Sequence, residues 1–151
     1  HRKECCHMYI VFPALFYYDP NEENKYSIFF PDFHSSGTMG TDITDAMRMA
    51  ADLLGNVAAD YLDNDQQLPK PSNLNDISLI NDDPFKQDPD FTLTYDPKKS
   101  FTSMVSVDLN KYLHSNQPVK KTLTIPKWAD ALGKEKKVNF SKLLTEAILN
   151  T

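Results

Sequence analysis

Side chains that could contact nucleic acid alternate along one short stretch of the chain, KKTLTIPK, at residues 120–127. Lys120, Thr122 and Thr124 occupy every second position, and alternate residues of a β-strand lie on the same face. Lysine ammonium groups bind phosphates, and threonine hydroxyls can contact base edges. The residue types and their spacing therefore suit contact with nucleic acid, although hydroxyls discriminate bases weakly because they pair with either donors or acceptors.

A second candidate contact with phosphate lies at the predicted start of the last helix. Asn139 is a good N-cap, and Phe140 and Ser141 follow it in the first turn, where backbone N–H groups have no partner inside the helix. The helix dipole favours an anion at this end, and Lys142 adds a positive charge beside it. The residue types at this helix start therefore favour an anion there.

The charge of the chain is unevenly distributed. The formal net charge is −5, yet residues 118–151 contain seven lysines and three acids, whereas the remaining residues contain nine basic and eighteen acidic side chains. Nucleic acid attracts the basic segment and repels the acidic remainder, which indicates two kinds of partner. Two simpler interpretations stay open: a solvated acidic surface, and lysines that only protect an edge strand.

The residues before the basic segment predict an α+β body of order β-β-β-α-β. Apolar and aromatic residues 9–16 predict the first strand, in which Pro13 indicates an edge position or a bulge. A second strand ends at Pro31, a third covers 38–40, and a fourth follows at 101–107. We expect one antiparallel sheet with a long helix packed across one face.

That helix has the most regular pattern in the chain and begins after the predicted N-cap Asp42. Its apolar residues recur at steps of three and four: Ile43, Ala46, Met47, Ala50, Leu53, Leu54, Val57, Ala58, Tyr61 and Leu62. Gly55 is predicted to mark close packing on the sheet, since glycine costs about 1 kcal/mol relative to alanine in a helix interior. Residues 73–99 predict a loop with one short strand near 91–95.

After a hinge at 116–119, residues 120–151 predict a strand and two short helices. Pro126 can end the strand and open the first helix. Three elements in about 32 residues bury too little apolar surface to fold alone. Two copies that pair through the strand would share one core, which predicts a homodimer and leaves a higher oligomer open.

The C-terminal residues KKTLTIPKWADALGKEKKVNFSKLLTEAI resemble a ribbon-helix-helix DNA-binding module of the MetJ/Arc class. In that class a two-stranded ribbon enters the major groove, and outward side chains touch base edges. The resemblance implies that Lys120, Thr122 and Thr124 read bases and that the phosphate site lies at 139–142. Residues 120–151 would then form a β-α-α DNA-binding and dimerisation domain.

The segment FPALFYYDPNEENKYSIFFPDF, the glycine turn after it and the long helix before LPKPS resemble the N-terminal domain of HicB-type antitoxins; VSVDLNKYL resembles its last strand. The resemblance implies a partial RNase H-like fold over residues 9–115. It implies two partners: a small basic mRNA-cleaving HicA-type toxin, and operator DNA through which the protein represses its own operon. Asp32 and Thr38 are the candidate toxin contacts, on an acidic surface that suits a basic toxin. Residues 74–99 exceed the form expected for the family and have no assigned role.

The residues leave two other functions open. The chain could be a ribbon-helix-helix regulator whose acidic domain senses another partner, or a metal-dependent RNase H-like nuclease. A two-metal site needs carboxylates that converge on one point, whereas most acids here lie in predicted loops. His34, close to Asp32, is the one candidate general base. No glycine-rich phosphate loop or nucleophile elbow occurs, so we expect no catalytic residue, no metal and no cofactor.

Residues 1–8, HRKECCHM, contain both cysteines of the chain. Adjacent cysteines rarely pair with each other, and a structural zinc site needs a second pair of ligands further along. We interpret the segment as a leader, either added to the native chain or disordered, before a native start at Met8. The missing disulfide framework fits a reducing cytoplasm, and no apolar run approaches the roughly 18 residues of a membrane span.

Overall fold

A computed structural model describes residues 7–113 and 118–151 of the protein. The first six residues of the predicted leader and residues 116 and 117 of the predicted hinge lie outside this described part. Residues 9–113 form one compact unit, and residues 118–151 belong to another. They are called the N-terminal unit and the C-terminal unit below.

The N-terminal unit contains four strands and one long helix. These elements are β1 (Tyr9–Tyr18), β2 (Tyr26–Phe30), β3 (Ser36–Gly40), α1 (Ile43–Asp63) and β4 (Phe101–Asp108). The strands form one antiparallel sheet in the order β3-β2-β1-β4. Short 3₁₀ turns cover Pro31–Phe33, Leu74–Asp76 and Leu109–Lys111. The predicted α+β class and the element order β-β-β-α-β are confirmed.

The central position of β1 shows that the edge position predicted from Pro13 is wrong for the strand as a whole. Pro13 pairs with Met104 of β4, whereas the pairing of β1 with β2 begins only at Leu15. Proline has no N–H to donate to a ladder. It is tolerated in this central strand because it lies beyond the part of β1 that pairs with β2.

The N-terminus of α1 is closed by reciprocal hydrogen bonds, as expected for an Asp42 cap. The Asp42 carboxylate accepts from the backbone N–H of Asp45 at 2.8 Å, and the Asp45 carboxylate accepts from the backbone N–H of Thr41 at 2.9 Å. The hydrogen bond from the Thr41 N–H is the main cause that holds the pKa of Asp45 below its usual value. The second is the Arg48 guanidinium, which donates to the Asp45 carboxylate at 2.7 Å. This pattern resembles a capping box and fixes where the helix begins.

The buried face of α1 consists of small residues and one leucine: Ala46, Ala50, Leu54, Gly55, Ala58 and Ala59. Ile43 and Met47, which the sequence predicts for this face, are exposed. The helix lies so close to the sheet that a Cβ on Gly40 of β3 would come within 2.5 Å of the Ala46 backbone. The buried stripe is therefore narrower than the apolar periodicity indicates.

Gly55 is buried, and close packing at this position is confirmed. Its neighbour is Tyr112, in the turn after β4, rather than the sheet: a Cβ on Gly55 would lie 2.5 Å from the tyrosine ring. The Tyr112 hydroxyl donates to the Asp52 carboxylate at 3.0 Å. Burial, followed by the Asp52 charge and hydrogen bond, raises the pKa of Tyr112.

Residues 73–99 cover the sheet face opposite α1. Tyr17 and Phe29 point to that face; the Tyr17 ring lies 4.9 Å from Tyr95, and the Phe29 ring lies 5.8 Å from Phe85. The Tyr17 hydroxyl donates to the Leu79 carbonyl at 2.7 Å, and burial raises its pKa strongly. Since the sheet is covered on both faces, the β1 residues from Phe12 to Tyr17 are all buried.

The short strand predicted near 91–95 is wrong, because these residues have no regular secondary structure. Aromatic contacts hold the segment instead. Phe91 packs against Phe85 with ring centroids 4.6 Å apart, and Tyr95 packs against Tyr17. The aromatic pattern that suggests a strand reflects side-chain anchoring of a loop to the sheet.

The C-terminal unit contains α2 (Lys127–Glu135) and α3 (Phe140–Leu149). The turn between them places Lys137 at a φ of 52°, and the N–H of Val138 donates to the Gly133 carbonyl at 3.0 Å. This is a Schellman-type helix end. A Cβ on Gly133 would lie 2.4 Å from the Phe140 ring, so glycine lets that ring close the turn.

Candidate interaction surfaces

The predicted DNA-contacting residues lie in an exposed segment before α2. Lys120, Thr122 and Thr124 are all exposed, and residues 118–126 have no regular secondary structure in the single chain. Leu123 and Ile125, on the alternate positions, are 62% and 45% exposed. No strand of the described residues pairs with this segment. The predicted strand needs a second chain as its partner, and it stays a prediction.

The helices of the C-terminal unit also leave their apolar side chains uncovered in the single chain. Gly133 is its only buried residue among those described. Trp128 is 70% exposed, and four aliphatic side chains of α2 and α3 are exposed as well: Leu132, Leu143, Leu144 and Ile148. Such a concentration of exposed apolar side chains marks an interaction surface rather than an ordinary solvated surface.

The start of α3 has the geometry expected of a capped helix. The Asn139 side chain accepts a hydrogen bond from the backbone N–H of Lys142 at 3.0 Å, which confirms the predicted N-cap. This bond occupies the Lys142 N–H, so the N–H groups of Phe140 and Ser141 are the ones left without an intrahelical acceptor. The Phe140 ring packs on Gly133, so the group that Phe140 offers to a phosphate is its backbone N–H.

Asp32, a candidate toxin contact, has a structural partner that the sequence does not reveal. It lies in the 3₁₀ turn between β2 and β3, and its carboxylate accepts from the Ser72 backbone N–H at 2.9 Å and from the Ser72 hydroxyl. Ser72 is forty positions further along the chain. The carboxylate therefore ties the LPKPS segment to the sheet, and no short-range pattern could have identified the pair.

Thr38 does not join Asp32 in an open site. It lies in the middle of β3 and pairs with Ile28 of β2. Because Gly40 approaches α1 and alternate strand residues share a face, the Thr38 side chain lies on the helix side of the sheet, partly buried. His34 follows the 3₁₀ turn, exposed, with a φ of 53°. The hydrogen-bond partner that the structure shows for the Asp32 carboxylate is Ser72.

The described part of the chain shows no group of three histidine, cysteine, aspartate or glutamate side chains that could hold a metal ion. In the same residues, no helix has both the length and the apolar character needed to cross a membrane.

Comparison with known proteins identifies the family. Residues 11–80 match the profile described as HicB_like antitoxin of bacterial toxin-antitoxin system. No curated protein matches the chain. Among solved structures, the Burkholderia pseudomallei antitoxin HicB is 17% identical, with a TM-score of 0.45, 93% of this chain covered and 95% of that chain.

A chain from a toxin-antitoxin complex of Streptococcus pneumoniae is much more similar. It shares 53% sequence identity with a TM-score of 0.70, and the match covers 95% of this chain and 99% of that one. The profile match lies in the N-terminal unit, and this alignment extends over both units. Membership of an antitoxin family favours binding over catalysis. The chain belongs to the HicB-like antitoxin family of bacterial toxin-antitoxin systems.

Proposed function

We propose that this antitoxin binds and inhibits a small basic mRNA-cleaving HicA-type toxin in the cytoplasm and represses its own operon by binding operator DNA. The toxin half is supported by the family and by the similarity to a chain of a toxin-antitoxin complex. It is also supported by charge. A protein that grips RNA presents a basic surface, and an acidic partner both attracts that surface and covers it.

The DNA half is carried by one observation: the C-terminal unit joins an exposed Lys-Thr segment to helices whose apolar side chains are exposed in the single chain. Each large aliphatic or aromatic side chain contributes roughly 1.5–3 kcal/mol when it is fully buried. The seven exposed side chains named above, from Leu123 to Ile148, would offset an association cost on the order of 4–15 kcal/mol. A second copy is the partner that covers them symmetrically.

In such a dimer, residues 120–125 of the two chains pair antiparallel as a ribbon, and α2 and α3 of both chains surround one core. Leu123 and Ile125 point to that core, since alternate residues of a strand share a face. Lys120, Thr122 and Thr124 then point outward to base edges. The amides of Phe140 and Ser141 and the Lys142 ammonium hold a phosphate at the start of α3. Residues 120–151 thus form a ribbon-helix-helix domain.

Deletion of residues 118–151 tests the division of labour between the units. We expect the truncated protein to lose the gel shift of a promoter fragment from its own operon while it still protects mRNA from the purified toxin. A truncated protein that shifts the promoter DNA contradicts the DNA half. A full-length protein that shifts DNA but fails to protect mRNA contradicts the toxin half and favours a regulator that senses another partner.

A further inference from the structure

A groove of about 570 Å³ opens at one end of the sheet in the N-terminal unit. It lies between the turn that joins β1 to β2, Met39 of β3, and residues 91–94 of the loop on the sheet face opposite α1. Its volume falls within the range of about 300–1,000 Å³ that is typical of binding pockets.

The apolar part of the groove is held in an exposed position by ordered contacts. Met39 is 55% exposed and Phe91 is 47% exposed, although both line the groove. The Phe91 ring packs edge-to-face against Phe85, which in turn contacts Phe29 of β2. A large aromatic ring that is anchored on one side and open on the other offers contact area at a low cost in conformational entropy.

The rim of the groove is acidic. Asp19, Glu22 and Glu23 line it, and Lys25 is the single basic residue among the lining residues. The Asp19 carboxylate caps the turn by accepting from the Asn21 N–H at 3.0 Å, and the Asp19 N–H donates to the Lys25 carbonyl at 2.8 Å. The turn is therefore closed by its own hydrogen bonds. Glu22 and Glu23 are exposed and form no ion pair with any described residue.

We infer that this groove docks a positively charged segment of the toxin, with an apolar side chain seated between Met39 and Phe91 and lysine or arginine side chains beside Glu22 and Glu23. The inference rests on the proposed toxin binding and names its contact surface. Charge complementarity selects the occupant, because the two exposed carboxylates of Glu22 and Glu23 attract a cationic segment and repel a polynucleotide. The apolar floor requires an anchor that a simple cation lacks.

The test uses the full-length antitoxin and the purified toxin in isothermal titration calorimetry. Glu22→Lys/Glu23→Lys is compared with Asp60→Lys/Asp63→Lys, which makes the same charge change on exposed positions of α1 outside the groove. We expect the groove variant to weaken toxin binding at least about tenfold and the control to change it less than about twofold. Wild-type circular dichroism spectra and urea unfolding midpoints of both variants show that their N-terminal units are folded.

A second matched pair tests the apolar anchor. Met39→Ser removes a groove side chain, whereas Met104→Ser removes an exposed methionine of β4 that does not line the groove. Only Met39→Ser is expected to lower toxin affinity. Equal losses of affinity in a groove variant and its control contradict the groove as the toxin contact, and so does unchanged affinity in both groove variants. In either case, toxin binding by the wild-type protein still supports the proposed function. A wild-type protein that fails to bind toxin overturns both.

Discussion

The carboxylate of Asp32 and both donors of Ser72 are joined by two hydrogen bonds, from the backbone N–H and from the hydroxyl. The bonds connect the turn after β2 to the segment that follows α1, where the chain crosses toward the opposite sheet face. Hydrogen bonds to a charged acceptor are stronger than neutral ones. The Asp32 side chain therefore has a structural task that is separate from any contact with a toxin.

Replacement of Asp32 by alanine is expected to lower the free energy of unfolding by about 1.5–3 kcal/mol, since two hydrogen bonds to a carboxylate are lost. Ser72→Ala removes one of the two bonds and is expected to cost less. The double variant should cost less than the sum of the two, because both changes remove one interaction. Urea unfolding of the four proteins measures the coupling; additive losses would contradict the link.

Gly55→Ala is expected to destabilise the protein by about 1–3 kcal/mol, because the new methyl group overlaps the Tyr112 ring. The reverse sign is expected in a Tyr112→Ala background, where alanine stabilises the helix by up to about 1 kcal/mol relative to glycine. Tyr112→Phe is the matched control, since it keeps the ring and removes the hydroxyl that donates to Asp52. A Gly55→Ala cost that persists without the ring would assign another role to this glycine.

The lowered pKa of Asp45 predicts a defined pH dependence. A carboxyl whose pKa is lower in the folded protein contributes stability above its unfolded pKa of about 4, and this contribution is lost as the pH falls through the folded value. Asp45→Asn removes the titrating group. We expect the urea midpoint of the variant to fall less than that of the wild type between about pH 7 and about pH 3. Parallel midpoints over that range would show that Asp45 contributes nothing to acid sensitivity.

The sequence predicts local features of this fold well. The caps at Asp42 and Asn139 and the helix that begins at Ile43 follow from residue types and spacing that act within a few positions. The sequence also predicts the alternation of buried and exposed residues in β4, because Val105 and Val107 are buried whereas Met104 and Ser106 are exposed.

The contacts that the sequence misses join residues far apart in the chain. The partner of Gly55 is 57 positions away at Tyr112, and the partner of Asp32 is Ser72. Residues 73–99 are misread for the same reason, since their aromatic side chains bind a sheet face whose other members are scattered along the chain. The acidic groove likewise forms where β3, the turn between β1 and β2, and residues 91–94 lie close together, and residue spacing in the sequence does not predict that proximity.

The proposed base-reading face predicts the outcome of Lys120→Ala/Thr122→Ala. Both side chains are exposed in the single chain, so their removal should leave the fold and the dimer intact. We expect weaker binding to the promoter fragment and a slope of log affinity against log salt that is smaller by about 1, because one phosphate contact is lost. Fluorescence anisotropy at several salt concentrations measures both quantities.

The matched control for this variant is Lys136→Ala/Thr145→Ala, which removes the same two residue types from exposed positions outside the ribbon. Both variants lose one positive charge. A loss of DNA affinity in Lys120→Ala/Thr122→Ala alone would therefore indicate a direct contact rather than general electrostatic attraction. Equal weakening in both variants would contradict the reading face. A loss of the dimer in size-exclusion chromatography with Lys120→Ala/Thr122→Ala would show that these side chains point into the interface, and Lys121 would then lie on the face that meets DNA.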